Sequence, residues 1–104
     1  MNDLIQIKET NGRETVDARE LHAALEVARD FSTWIKDRIE KYGFIHGQDY
    51  QLTKSGEVVE RAQGGGTARD RYDLTVAMAK ELATVENNDR GREVRRYLIQ
   101  VEEA

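Results

Sequence analysis

Three kinds of side chain in this sequence have chemistry to offer: the histidines His22 and His46, the run Gly64-Gly65-Gly66-Thr67, and arginines gathered in two short stretches. A zinc centre is built from Cys, His and carboxylate ligands, and a chain with no cysteine and two histidines holds little of that set. The glycine run lacks the Lys-Ser or Lys-Thr that completes a phosphate-cradling loop, and no Gly-x-Gly-x-x-Gly fingerprint is present. It reads as the flexible tip of a wing. His22 has no serine or cysteine nucleophile motif beside it, and a helical histidine next to Glu20 and Leu21 reads as a solvated or core-edge residue. Glu102-Glu103 is a solvated pair on a terminal helix. The expectation is a binding protein and not an enzyme, with no catalytic residue, no cofactor and no metal.

Binding then rests on charge. A net charge of -4 excludes a uniformly basic DNA-coating protein, because non-specific affinity for nucleic acid comes mainly from Lys and Arg neutralising phosphates. The charge is uneven, however. Arg61, Arg69 and Arg71 stand against Asp70 alone, a local +2, and Arg90, Arg92, Arg95 and Arg96 stand against Glu93 alone, a local +3. The rest of the chain carries -9, so an anion-binding surface has to be local. Chance clustering on a surface that is 35% charged is the plain alternative.

These residues need elements to hold them. With 104 residues, 38% of them hydrophobic, the chain supports one modest core and one domain. Its apolar runs are only a few residues long, and Met1-Asn2-Asp3-Leu4 lacks the basic and then apolar profile of a signal peptide, so a soluble cytoplasmic protein is expected. Leu4 to Val16 predicts a β-hairpin, since Ile5 and Ile7 alternate with Gln6 and Lys8 and Asn11-Gly12 suits a two-residue turn. Asp17 and Glu20 form a capping-box-like pattern ahead of a helix from Ala18 to about Glu26, with Leu21, Ala24 and Leu25 inward.

After a break at Val27-Ala28-Arg29, Asp30 caps a second helix that ends at Gly43, with Phe31, Trp34, Ile35, Ile39 and Tyr42 on one stripe. Trp34 on that stripe reads as a core anchor in preference to a base-stacking ring. The short joint resembles a helix-turn-helix, a pattern that any short helical hairpin also shows. Strands at Asp49–Lys54 and Arg69–Leu74 flank the glycine run as a basic hairpin. Thr75 caps a third helix to about Glu86, with Leu74, Met78, Leu82 and Val85 inward. Asn87-Asn88 interrupts, and a fourth helix from about Asp89 places Val94, Tyr97, Leu98 and Val101 at helical spacing. The predicted class is α+β and winged-helix-like.

Several of these strings together resemble the AntA/AntB phage antirepressor family. They are Ala18-Arg19-Glu20-Leu21-His22, Phe31-Ser32-Thr33-Trp34-Ile35, Tyr42-Gly43-Phe44, Asp49-Tyr50, Tyr72-Asp73-Leu74-Thr75, Ala79-Lys80-Glu81-Leu82-Ala83 and Gly91-Arg92-Glu93-Val94-Arg95-Arg96-Tyr97. Singly each is weak, but in this order and spacing they are specific. The resemblance implies a module at the head of a longer phage or prophage protein, similar in layout to KilA-N and Bro-N modules, that relieves repression in a bacterial host. Gly64-Gly65-Gly66-Thr67 and Ala28 stand where such proteins often carry more positive charge.

Two functional classes stay open. In one, the helix beginning at Phe31 enters a DNA major groove, Arg29, Ser32, Thr33 and Lys36 approach bases or phosphates, and Arg61, Arg69 and Arg71 form a wing beside the backbone of an operator-like site. In the other, the module grips a phage repressor protein through Lys36, Asp37, Glu40 and Lys41, a mixed face that suits a protein better than phosphates. Neither involves a membrane, and both leave room for a homo-oligomer.

Overall fold

The alternating apolar residues at the start of the chain do form a hairpin. In the computed structural model, which describes residues 5–10, 12–53 and 70–103, β1 (Ile7–Thr10) pairs antiparallel with β2 (Arg13–Asp17). Thr10 lies opposite Arg13, and Gly12 between them takes φ +81°, a left-handed angle that glycine adopts without a Cβ clash.

The chain runs from β2 directly into α1 (Ala18–Leu25). Asp17 occupies the N-cap position with extended backbone, but its side chain makes no capping bond, so the predicted capping box does not form. Asp17 is the last ladder residue of β2, opposite Asp73 of the neighbouring strand. The Glu20 carboxylate instead accepts from the Gln6 backbone N–H at 3.2 Å, tying α1 to the entry of β1. α1 ends at Glu26 in the left-handed conformation, with its N–H on the Ala23 carbonyl.

After α2 (Phe31–Tyr42) come β3 (Tyr50–Thr53) and β4 (Arg71–Thr75), antiparallel to each other. β4 also pairs with β2, giving a four-stranded antiparallel sheet in the order β1-β2-β4-β3. Thr75 caps α3 (Val76–Glu86) as predicted, its hydroxyl accepting from the Met78 N–H at 3.1 Å. Asn87 in the left-handed region ends α3, and α4 (Asp89–Glu103) turns back along it. At Gly91 the two helices meet so closely that a Cβ would stand 2.6 Å from the Ala83 carbonyl oxygen.

One face of the sheet, carrying Val16, Tyr72 and Leu74, is buried under Leu21 and Leu25 of α1, Trp34 and Ile35 of α2, Met78 and Leu82 of α3, and Val94 and Leu98 of α4. The predicted inward stripe of α2 loses its cover toward the C-terminus. Trp34 and Ile35 are fully buried and Ile39 partly so, whereas Tyr42 is 43% exposed. Val85 of α3 is likewise only half-buried. The fold is α+β, with a layout compatible with a winged-helix-like arrangement. Among the described residues no helix is long and apolar enough to cross a membrane.

Candidate functional site

α2 is an amphipathic helix with both ends fixed. The Asp30 carboxylate accepts from the Thr33 N–H at 3.0 Å, and this backbone hydrogen bond, with that from the Thr33 side chain, holds its pKa below the ordinary carboxylate value. At the other end Gly43 takes φ +74° and returns its N–H to the Ile39 carbonyl at 2.9 Å. Burying Trp34 and Ile35 turns Ser32, Thr33, Lys36, Glu40 and Lys41 outward, and all five are exposed. Asp37, on the same arc, is half-buried because it is drawn into ion pairs with Arg29 at 3.5 Å and Arg38 at 3.0 Å. Arg29, predicted as a phosphate contact, is therefore already neutralised in part by Asp37 of α2.

The inward edge of α2 carries a polar cluster that sequence reasoning passed over. The Trp34 indole N–H donates to Glu86 Oε2 at 2.8 Å, and Arg38 reaches the same oxygen through Nη2 at 3.0 Å and Nε at 3.3 Å. The Arg38 and Glu86 side chains are both nearly buried. One carboxylate at the end of α3 thus fixes the rotation of α2 about its axis, and with it the direction in which Ser32, Thr33 and Lys36 project. The available signal was the i to i+4 spacing of Trp34 and Arg38 and a lone acid beside the Asn87-Asn88 break, neither of which specifies a partner 52 residues away.

α1 and the β3–β4 hairpin hold the N-terminal end of α2. The Arg19 guanidinium lies 4.3 Å above the Phe31 ring and donates to the Asp70 carbonyl at 3.5 Å, joining the first residue of α2 to the strand side of the hairpin. Phe31 also packs on Tyr72 at 5.9 Å, and Tyr72 on Tyr50 at 6.0 Å. Burial raises the Tyr72 phenol pKa. Of the predicted wing arginines, Arg71 is exposed on β4 opposite Thr53 and pairs with Asp73 at 3.1 Å. Arg61 and Arg69 lie outside the described residues.

His22 is a core-edge residue, one of the two alternatives open from sequence. Its ring packs on Phe31 at 5.7 Å and Trp34 at 5.3 Å, and its Nε2 lies 2.7 Å from the Arg29 carbonyl. A carbonyl can only accept, so Nε2 carries the proton, and the imidazole clamps the α1–α2 joint. His46 stacks loosely on Tyr50 in an exposed loop. Among the described residues no group of three His, Cys, Asp or Glu is placed to hold a metal ion.

The arrangement can contact a partner through a short polar helix face whose charges are mixed. Lys36 and Lys41 mix there with Asp37 and Glu40, and Arg29 pairs with Asp37. Next to it, Tyr42 and Ile45, 43% and 53% exposed, form an apolar rim. No curated protein and no solved structure matches the chain. A family model described as AntA/AntB antirepressor matches residues 16–88, from the end of β2 through α3, with the whole of the α2 face.

Proposed function

Because this chain belongs to the AntA/AntB antirepressor family, we propose that it is the antirepressor module of a phage regulatory protein that binds DNA with α2 as the reading helix and β3–β4 as the wing. It acts in the host cytoplasm and catalyses nothing. The observation that carries this reading is the Arg19 bridge. By stacking on Phe31 and bonding the Asp70 carbonyl, Arg19 sets the N-terminal turn of α2, with Ser32 and Thr33 exposed, beside the start of β4 and its Arg71. That is the spatial relation a groove-entering helix and a backbone-touching wing require. Lys36 lies one turn further along the exposed face, in reach of the same groove or its phosphates.

The test is a binding series with operator DNA across salt, run beside a pull-down with the cognate repressor. Ser32→Ala and Thr33→Ala are expected to relax sequence preference with little change in salt dependence. Arg71→Ala is expected to weaken binding alike on all sequences and to flatten the plot of log affinity against log salt by about one unit. Absence of any operator-specific complex near physiological salt removes the reading. A second reading, direct capture of a repressor protein, is favoured by the exposed Tyr42 and Ile45 beside Glu40 and Lys41, an apolar rim of a kind that phosphates do not need. Under it, repressor binding responds to Asp37 and Glu40 and operator DNA gives no specific complex.

A further inference from the structure

Nine arginines lie in the described residues, and six of them are engaged within the protein. Arg13 bonds the Gln48 carbonyl, Arg19 the Asp70 carbonyl, and Arg29, Arg38, Arg71 and Arg90 pair with carboxylates. The three with no partner among the described residues, Arg92, Arg95 and Arg96, are all on α4. At i, i+3 and i+4 they fall on one face of the helix, Arg92 and Arg96 exposed and Arg95 half-buried where it borders the line of Gly91, Val94 and Leu98. The local +3 of residues 90–96 survives folding on this face, because Glu93 is taken by Arg90 at 2.8 Å. Beside it, Arg92 and Arg95 line a groove of about 380 Å³ at the α3–α4 turn together with Thr84, Asn87 and Asn88, with Asp89 the one carboxylate of its lining.

We propose that this α4 face is a second DNA contact, a phosphate-backbone clamp in which Arg92, Arg95 and Arg96 supply the charge and Asn87 supplies a neutral amide donor. The clamp rests on the DNA reading of the function but not on α2 being the element that reads bases. Three features favour the backbone of a nucleic acid over other anions. Guanidinium groups present forked donors that match phosphate oxygens, and arginine and asparagine are both side chains that make phosphate contacts. Three unpaired cations on one stripe match a ligand with repeated charge. The stripe also leaves the clamp free of the internal carboxylates that compete for Arg29 and Arg71.

The experiment measures fluorescence anisotropy of a labelled random-sequence duplex and a labelled operator duplex between about 50 and 200 mM salt, the range over which phosphate contacts dominate. The protein is used as wild type, as the triple variant R92Q/R95Q/R96Q, as the charge-keeping R92K/R95K/R96K, and as S32A/T33A. The glutamine variant is expected to flatten the salt plot by about three units on both duplexes, and the lysine variant to keep most of the slope. Far-UV circular dichroism confirms that the variants fold. If S32A/T33A leaves preference unchanged while the glutamine variant still loses slope, the clamp stands and the base-reading role of α2 fails. A glutamine variant with wild-type slope on both duplexes overturns the clamp and leaves the α2 reading untouched. A wild-type protein that binds neither duplex at 50 mM salt, with repressor capture lost in the glutamine variant, overturns the clamp in favour of an acidic protein partner.

Discussion

Trp34 supports α2 in two separable ways, and substitution resolves them. Truncating a fully buried aromatic, as in Trp34→Ala, removes both its apolar contacts and its hydrogen bond to Glu86, and is expected to cost about 3–5 kcal/mol. Trp34→Phe keeps most of the packing but removes the indole N–H. A hydrogen bond to a charged acceptor contributes roughly 1.5–3 kcal/mol, and because Arg38 still holds Glu86 Oε2 the cost belongs at the low end, about 1.5 kcal/mol. Glu86→Ala leaves the indole donor unsatisfied and Arg38 with only Asp37, an expected loss of about 2–4 kcal/mol. The double variant W34F/E86A should then lose less than the sum of its parts, by about 1 kcal/mol, since both single changes delete the same bond. Urea melts followed by far-UV circular dichroism measure all four proteins; the chain has one tryptophan, so indole fluorescence cannot follow the Trp34 variants. A Trp34→Ala loss below about 1 kcal/mol refutes the reasoning, since burial alone accounts for more. It would also return Trp34 to the list of rings free to stack on a base.

Gly91→Ala has a diagnostic sign. Helix propensity alone makes it stabilising by up to about 1 kcal/mol, whereas the 2.6 Å approach of the new Cβ to the Ala83 carbonyl forces α3 and α4 apart, at about 1–3 kcal/mol. A net fall in melting temperature is expected, and a rise would show that the helices separate freely. Thr75→Ala removes the cap of α3 and should cost about 1 kcal/mol in the same assay. Loss of less than a few tenths would mean water replaces the hydroxyl at no cost. Asp30 titrates below its ordinary value in the folded protein, so its contribution is present above the unfolded pKa and disappears as pH falls through the lowered folded one. The stability gap between wild type and Asp30→Ala is therefore expected at neutral pH and should close in acid. A gap that persists unchanged to the acid limit of folding contradicts the cap.

What could be read from sequence was local. Gly12, Asp30, Gly43, Thr75 and Asn87-Asn88 each act through backbone angles or donors within a few residues of themselves, and each marks an element boundary found in the structure. Asp17 misled because the Glu20 that a capping box needs is engaged by the Gln6 backbone N–H, a partner 14 residues away that spacing does not show. Tyr42 misled because helical periodicity says which residues share a face and not how far along the helix that face is covered. At the site, the exposed positions Ser32, Thr33 and Lys36 followed from the pattern that buried Trp34 and Ile35. The engagement of Arg29 by Asp37, of Arg38 by Glu86 and of Arg71 by Asp73 depended on side-chain geometry, which spacing does not contain. Local charge sums therefore overstated Arg71, and although they gave residues 90–96 the larger excess they could not show that Arg92, Arg95 and Arg96 stay unpaired among the described residues.

That difference changes how a net acidic chain can serve a polyanion. A cation already paired with a carboxylate releases fewer counterions when it meets a phosphate, because the pair must first be loosened and its carboxylate then repels the incoming strand. Arg29 and Arg71 carry that handicap, and Lys36 has Glu40 one turn away on the same exposed face. The α2 face is thus poor at generating affinity, but its neutral Ser32 and Thr33 suit it to discriminate among bases, where hydrogen bonds to base edges count and net charge does not. The α4 stripe has the reverse character, with charge available and little to read with. Under the proposed DNA reading, a division between a weakly attractive reading helix and a strongly attractive backbone clamp would let an acidic module bind a defined site without coating DNA, the behaviour that the overall charge of -4 excludes.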